Sequence, residues 1–271
     1  MSQWSEQIAN MTWSYSRLST YEQCPYQFYL NYLLVDENGR PLYETVPNFC
    51  AAYGSMCHKI FERVFKKQMS LDEAYVEFQD QFELLEDDFP WDYKFSEKYY
   101  EKGLTYFGGD WYDRYNYADV VSVEEHMTFD VGGYKFQGFV DLIMRGREYG
   151  DINIIDHKSQ KSVLGKSGQI LKSQQGKADA IKRQLYLYSK PVIAKYGKIS
   201  EMFVNFFNDG KMWHFWWDQD EYEAAMKWAV DVIKRIEQDA DFVSKNDYFF
   251  CRKICSFRTE CEEKDGDQEE S

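Results

Sequence analysis

Apolar residues recur at helical spacing in the first part of this chain and at strand spacing in its middle. In "AAYGSMCHKIFERVFKK", Met56, Ile60, Phe61, Val64 and Phe65 fall on one face of a 3.6-residue repeat, which predicts a helix. Upstream, "YSRLSTYEQCPYQFYLNYLL" predicts a helix over residues 15–34, entered through Ser16 or Ser19 and kinked or divided at Pro25. Residues 71–118 predict further helix, broken near Pro90 and at Gly108–Gly109.

The period then shortens. "VVSVEEHMTFDV", "YKFQGFVDLIMR" and "INIIDHKS" are rich in Val, Ile, Phe and Tyr, and the first two flank a Gly-Gly pair that signals a hairpin. "ADAIKRQLYLYSKPVIAKYG" predicts a helix, and "EMFVNFFND" with "KMWHFWWD" predicts a second strand pair around Asp209–Gly210. "QDEYEAAMKWAVDVIKRIEQ" has the stripe of a strongly amphipathic helix. The order is helices, three strands, helix, two strands, helix, then a cysteine-rich segment. This is the pattern of an α/β fold with a mixed sheet and a helical N-terminal elaboration.

Composition limits what such a chain can be. Its 271 residues are 44% hydrophobic and 18% aromatic, ample for a core. No apolar run approaches the ~20 residues of a membrane helix. The start, "MSQWSEQIANMTWSYS", lacks the basic-then-apolar order of a secretory signal. These features predict a soluble cytoplasmic protein, where clustered cysteines bind metal more often than they form disulfides.

The net charge of −14 argues against a general grip on polyanions, but the charge is uneven. Residues 71–101 hold eleven acids against Lys94 and Lys98. Residues 158–183 hold seven basic residues (Lys158, Lys161, Lys166, Lys172, Lys177, Lys182, Arg183) against Asp179 alone. A local strip of this kind can bind a polyanion, or can be an ordinary solvated loop.

Candidate chemistry lies just before that strip. Asp141 and Asp156 end two predicted strands, and Lys158 follows Asp156 by two, so both side chains face one way on a strand. A carboxylate can hold a hard divalent cation while an ammonium polarises water or stabilises developing negative charge. The backbone carbonyl of His157 is a further oxygen ligand, and His58 adds an imidazole from the predicted N-terminal helix. Gln184 and Tyr188, four apart, share one helix face. Alone, an Asp-x-Lys triplet is more often a salt bridge at a strand end.

In order and spacing, "GxxxH" (Gly54 to His58), "GxxD" (Gly138 to Asp141), "DxK" (Asp156 to Lys158) and "QxxxY" (Gln184 to Tyr188) resemble the successive motifs of the PD-(D/E)XK nuclease superfamily. The similarity is to its RecB-like branch, which includes CRISPR-associated and phage exonucleases. "SRLSTYEQCPYQFYLNY" resembles that branch's N-terminal motif, and the likeness runs from about Tyr15 to Cys261. The resemblance implies a restriction-endonuclease-like mixed β-sheet flanked by helices, cutting phosphodiester bonds with Mg²⁺ or Mn²⁺. It implies His58, Asp141 and Asp156 as metal ligands, Lys158 as the residue that orients the attacking water, and Gln184 and Tyr188 as positioning residues. Glu124 or Glu125 is an accessory acid, and the sequence leaves the choice open. The basic strip then borders the site, with six of its seven cations beyond Lys158, suited to DNA phosphates.

The iron–sulfur members of this branch join one cysteine before the core to three at the C-terminus. Cys24, Cys251, Cys255 and Cys261 match those positions, which implies a [4Fe–4S] cluster stapling the chain's ends, with Cys50 and Cys57 left as free thiols. The family spacing has two residues between the first two C-terminal cysteines and this chain has three; Zn²⁺ on four thiolates is the alternative.

The expected organisation is a single nuclease domain: a helical part over 1–118, a PD-(D/E)XK core over 119–240, the cysteine segment over 241–261 and an acidic tail over 262–271. The expected activity is metal-dependent exonuclease action on DNA ends or single strands, in recombination, repair or phage DNA metabolism, within a bacterial cell or phage-infected host. A non-catalytic DNA-binding subunit of the same fold and a structure-specific endonuclease are the alternatives. The chain has no GxxxxGK[ST] phosphate loop, so unwinding would need a helicase or recombinase partner.

Overall fold

Ser14 begins the first long helical stretch because its backbone is extended (φ −149°, ψ 162°) while its hydroxyl accepts the N–H of Arg17. The cap thus lies before Ser16 and Ser19, whose place inside the helix leaves the Ser19 hydroxyl to the Ser16 carbonyl. In this computed structural model, which describes residues 3–89, 93–245, 248–258 and 261, the short α1 (Ser5–Ala9) precedes α2 (Tyr15–Gln23) and α3 (Pro25–Tyr32). As the sequence predicts, Pro25 divides α2 from α3. It occupies the first position of α3, where a missing N–H costs no hydrogen bond.

The described residues form two compact units, one drawn from 1–48, 128–137 and 224–271, the other from 49–127 and 138–223. The first is built on aromatic contacts. Trp13 exchanges backbone hydrogen bonds with Lys135 and Gln137 and stacks on Phe28, which in turn stacks on Phe242. Tyr21 donates to Asp239 at 2.8 Å, and Glu22 accepts from the Trp228 indole and the Arg235 guanidinium.

The second unit carries α4 (Phe49–Phe65), α5 (Leu71–Asp88), α6 (Tyr93–Phe107) and α7 (Gln175–Tyr196). Ser70 and Glu73 cap α5 reciprocally, and its Ala74, Phe78, Phe82 and Leu85 face inward while its acids stay near solvent. The turn at Gly108–Gly109 follows α6 as predicted; Pro90 lies outside the described residues. Phe49, Tyr53, Phe61, Phe78, Phe82, Phe107 and Phe207 knit α4, α5 and α6 into one core with Leu142, Met144 and Ile155 of the sheet.

That sheet has five strands in the order β1 (Ala118–Val131), β2 (Tyr134–Gly146), β3 (Ile152–Lys158), β4 (Ile199–Phe206) and β5 (Lys211–Trp216). β2 and β3 are antiparallel, β3 and β4 parallel, β4 and β5 antiparallel, so the sheet is mixed. A parallel pair needs a long crossover, and α7 supplies it between β3 and β4. Gly132 and Gly133 close the β1–β2 hairpin with φ of +61° and +91°, the sign a two-residue primed turn requires at both positions. The amphipathic α8 (Gln219–Gln238) and short α9 (Tyr248–Lys253) complete the chain order. No helix of the described residues is long and apolar enough to cross a membrane.

Candidate active site

Register brings the two acids together, although Asp141 lies inside β2 (Tyr134–Gly146) rather than at a strand end, and Asp156 lies two residues from the end of β3. β2 and β3 pair as far as Leu142 opposite Ile155, and one residue further the ladder gives way to a side chain: Asp141 Oδ2 accepts the backbone N–H of His157 at 2.7 Å. Asp156 and Lys158 share a face, and Lys158 Nζ lies 2.9 Å from Asp156 Oδ1 and 2.9 Å from Gln184 Oε1 of α7. His157 points the other way. Its ring stacks on Phe61 at 4.5 Å and meets the amide of Asn205 at 3.0 Å, in the core. Burial holds its imidazole well below its ordinary pKa, so it is neutral there.

α4 brings His58 to this end of the sheet. Its Nε2 donates to the His157 carbonyl at 2.9 Å, which leaves Nδ1 facing Glu124 at 3.3 Å and Asp141 at 3.7 Å. The His157 carbonyl therefore orients the imidazole. Burial disfavours charge on His58, but the carboxylates of Asp141, Glu124 and Asp156 outweigh it and raise the ring to about 9. Burial raises Asp156 to about 6 against the opposing pull of Lys158, and it raises Asp141 against His58 and Lys158.

Between Glu124 and Glu125 the fold decides. Glu124 has φ +50°, a left-handed backbone that non-glycine residues adopt rarely, and it faces His58 and Asp141. Glu125 is taken up by Lys195 and Tyr196 of α7. Nothing in the pair of residue types announces that distortion. Among the described residues, His58, Glu124 and Asp141 are the set that brings three metal-ligating atoms within 4.8 Å of one another. Two ligands opposite each other on a cation bound at about 2.1 Å would stand about 4.2 Å apart. Asp156 adds a buried Oδ2 without a hydrogen-bond partner, an atom whose burial otherwise costs stability. Three carboxylates against Lys158 and a protonated His58 leave a net negative charge. The donor set fits a hard divalent cation.

Two glycines of the sequence motifs are explained by close approach. A Cβ on Gly138 would lie 2.4 Å from Cε1 of Tyr188, and one on Gly54 would lie 3.1 Å from Ser159 Oγ. Gly54 thus lets α4 approach the residue after Lys158. Asn208 holds that residue from below, donating to the Ser159 carbonyl while it accepts from Tyr53. Asn208 and Ser159 carry no sequence signal for this role.

The cleft has a volume of about 500 Å³ and is lined by His58, Glu124, Asp141, Asp156, Lys158 and Gln184, with Ser55, Lys59 and Gln160 at its edge. A larger cavity of about 670 Å³, between α6 and the β4–β5 turn, includes none of the first six. The basic strip divides by partner. Lys182 is held by Glu221 at 2.8 Å. Lys161, Lys166 and Lys172 are exposed and make no ion pair among the described residues. The loop bearing them is pinned by Asp209, which accepts the Ser162 N–H, and by Lys211, which donates to the Leu164 and Gly165 carbonyls.

Cys24, Cys251, Cys255 and Cys261 fall in the first unit, Cys50 and Cys57 in the second. Cys24 sits at the α2–α3 junction, and Cys24, Cys255 and Cys261 are buried. Burial raises the Cys255 thiol to about 11, and the nearby Cys261, Cys24 and Cys251 add to the rise. No three of these sulfurs lie within 4.8 Å of one another. The acidic tail, 262–271, lies outside the described residues.

The family model of the PD-(D/E)XK nuclease superfamily matches residues 12–262. No curated protein gives a significant match. Among solved structures, a presumed exonuclease from Eubacterium rectale is similar over 87% of this chain and 85% of its own, at 16% identity and a TM-score of 0.50, a likeness of fold. A second, SSO0001, aligns with 65% of this chain and 80% of its own at 19% identity and a TM-score of 0.32.

Proposed function

The chain belongs to the PD-(D/E)XK nuclease superfamily, and we propose that it is a divalent-cation-dependent deoxyribonuclease, an exonuclease of the RecB-like branch acting on DNA ends or single strands. The observation that carries this reading is the convergence of His58, Glu124, Asp141, Asp156 and Lys158 on one cleft. His58, Glu124, Asp141 and Asp156 would hold Mg²⁺ or Mn²⁺, which when bound supplies charge neutralisation at the phosphoryl oxygens and a more acidic water.

The remaining work falls to the chain's own groups. Lys158 is tethered by Asp156 and Gln184, so its ammonium is fixed in direction before substrate arrives. It orients the attacking water and stabilises charge that develops on the phosphate. Gln184 positions Lys158. Tyr188, seated against Gly138, locks α7 to β2 and so fixes where Gln184 stands. Lys161, Lys166 and Lys172 give the DNA backbone counter-charge beside the cleft.

Cys24, Cys251, Cys255 and Cys261 would hold a [4Fe–4S] cluster tying α3 to the C-terminal segment. Zn²⁺ on the same four thiolates is the alternative occupant. The staple has no part in hydrolysis. The enzyme would act in the cytoplasm of a bacterial cell or phage-infected host, in recombination, repair or phage DNA metabolism, with a helicase or recombinase supplying any unwinding.

The test is cleavage of 5′- and 3′-labelled single and double strands by anaerobically purified protein with Mg²⁺, Mn²⁺ or EDTA. Metal-dependent shortening from an end that Lys158→Ala abolishes, with the fold retained, is the expected result. Internal cuts would point to an endonuclease, and binding without cutting to a DNA-binding subunit. Full activity in Lys158→Ala would overturn the assignment of the site.

A further inference from the structure

The chain through Lys158 continues beyond both of its backbone ladders. On the β2 side pairing ends at Leu142 opposite Ile155, and on the β4 side it ends at Phe206 opposite Lys158. Past those points side chains take over from backbone. Asp141 Oδ2 accepts the His157 N–H at 2.7 Å on one flank, and Asn208 Nδ2 donates to the Ser159 carbonyl on the other. Lys158 therefore stands between two backbone groups, each held by a side chain. Asn208 in effect adds one more rung to the β3–β4 pair.

Asn208 suits this role by residue type and by place. It is 6% exposed, in the turn Phe207–Asp209 that follows β4. A carbonyl only accepts, so the amide nitrogen faces Ser159 and the amide oxygen is left for the Tyr53 hydroxyl, 2.8 Å away. Tyr53 is fully buried, with its ring edge-on to Tyr99 at 4.9 Å and to Phe82 at 6.0 Å, so the aromatic core fixes that hydroxyl. An apolar residue of the same size would make neither bond. From the other side α4 closes on Ser159 at Gly54, where a Cβ would stand 3.1 Å from Ser159 Oγ. Three residues further along, Asp209 Oδ2 accepts the Ser162 N–H at 2.7 Å while Lys102 holds its other oxygen at 2.8 Å. Asn208 itself is not among the residues that line the metal cleft, so its influence passes through the chain.

We infer that Asn208 is a positioning residue for the reaction: oriented by Tyr53, its amide fixes the backbone just after Lys158, and so the base of the side chain whose tip Asp156 and Gln184 hold. The inference rests on the nuclease reading above and deepens it, adding a residue outside the cleft to the machinery. An ammonium held only at its tip drifts with its backbone, and a misplacement of about 1 Å at a catalytic group lowers turnover about a hundredfold.

The experiment compares wild type, Asn208→Ala, Asn208→Leu and Tyr53→Phe in Mn²⁺-dependent cleavage of end-labelled DNA. DNA binding with Ca²⁺ in place of Mn²⁺ gives each protein's binding stoichiometry, which counts the folded molecules. The kcat per DNA-binding molecule should fall about ten- to a hundredfold in both Asn208 variants, and by less in Tyr53→Phe. KM should keep its wild-type value, because Asn208 lies outside the cleft. A residue with only a structural role would lower the stoichiometry and leave kcat per binding molecule unchanged, and that result would overturn the inference. A change in KM without a change in kcat would overturn it as well.

Amide exchange in the metal-free protein separates this inference from the activity itself. Asn208→Ala should exchange about tenfold faster than wild type over residues 160–165, as the loss of one hydrogen bond predicts, while residues 152–157 of β3 keep their rate. That contrast, in a preparation whose wild type cuts no DNA, would sink the nuclease reading and leave the hold of Asn208 on the Lys158 backbone standing. Equal exchange in both proteins would overturn the positioning role whatever the activity.

Discussion

Replacing Gly138 by alanine tests how the helix behind the cleft is held. The new Cβ would stand 2.4, 2.6 and 3.0 Å from Cε1, Cζ and Cδ1 of Tyr188, where carbon atoms rest at about 3.5–4.0 Å. The ring must retreat by about 1 Å, or β2 must move by as much. Gly138 lies three residues before Asp141, and Tyr188 lies one helical turn after Gln184, which holds Lys158. Either displacement therefore reaches the chemistry. Overpacking of this kind costs about 1–3 kcal/mol, and each kcal/mol shifts melting by roughly 2–4 °C in a chain of this size. A misplacement of about 1 Å among catalytic groups lowers turnover by about a hundredfold. Thermal unfolding and single-strand cleavage would be measured on Gly138→Ala, Tyr188→Ala and the double variant. Removing the ring should return most of the stability lost to the methyl group, because the two residues are coupled. If Gly138→Ala melts and cuts like wild type, or if Tyr188→Ala restores no stability, the close approach is not what requires glycine there.

Glu124→Ala should weaken Mn²⁺ binding at least tenfold by calorimetry, while Glu125→Ala, which frees Lys195, Tyr196 and Ser122, should leave it unchanged. Mn²⁺ affinity of the metal-free protein should climb with pH through about 6, as Asp156 loses its proton, and on towards about 9, as His58 does. The sign follows from competition, since both groups bind the cation only after releasing a proton. The same shift makes the metal-free fold lose stability as pH rises from the ordinary carboxylate range through about 6, because the buried Asp156 must then carry charge. The melting gain given by Mn²⁺ should therefore widen above pH 6, and a gain independent of pH would contradict it. Cys24→Ser should remove iron and sulfide from anaerobically purified protein and lower its melting temperature, with Cys50→Ser retaining both.

The periodicity of apolar residues marks nearly every element because a helix or strand must bury one face. Pro25, the Gly-Gly turn and the amphipathic stripe of residues 219–238 act through local geometry, so the chain states them openly. The order of motifs likewise foretells that His58, Asp141, Asp156, Lys158 and Gln184 meet. What it leaves undecided depends on atoms distant in sequence. Which of Glu124 and Glu125 turns inward is set by one left-handed backbone in β1 and by the claim of Lys195 and Tyr196 on the other acid. That His157 points into the core while its carbonyl steers His58 follows from strand parity meeting the aromatic wall of α4. The basic strip reads as uniform, yet Glu221, thirty-nine residues from Lys182, removes that cation from the free set. Local propensity is written residue by residue, whereas the direction of a buried side chain depends on what the rest of the chain packs against it.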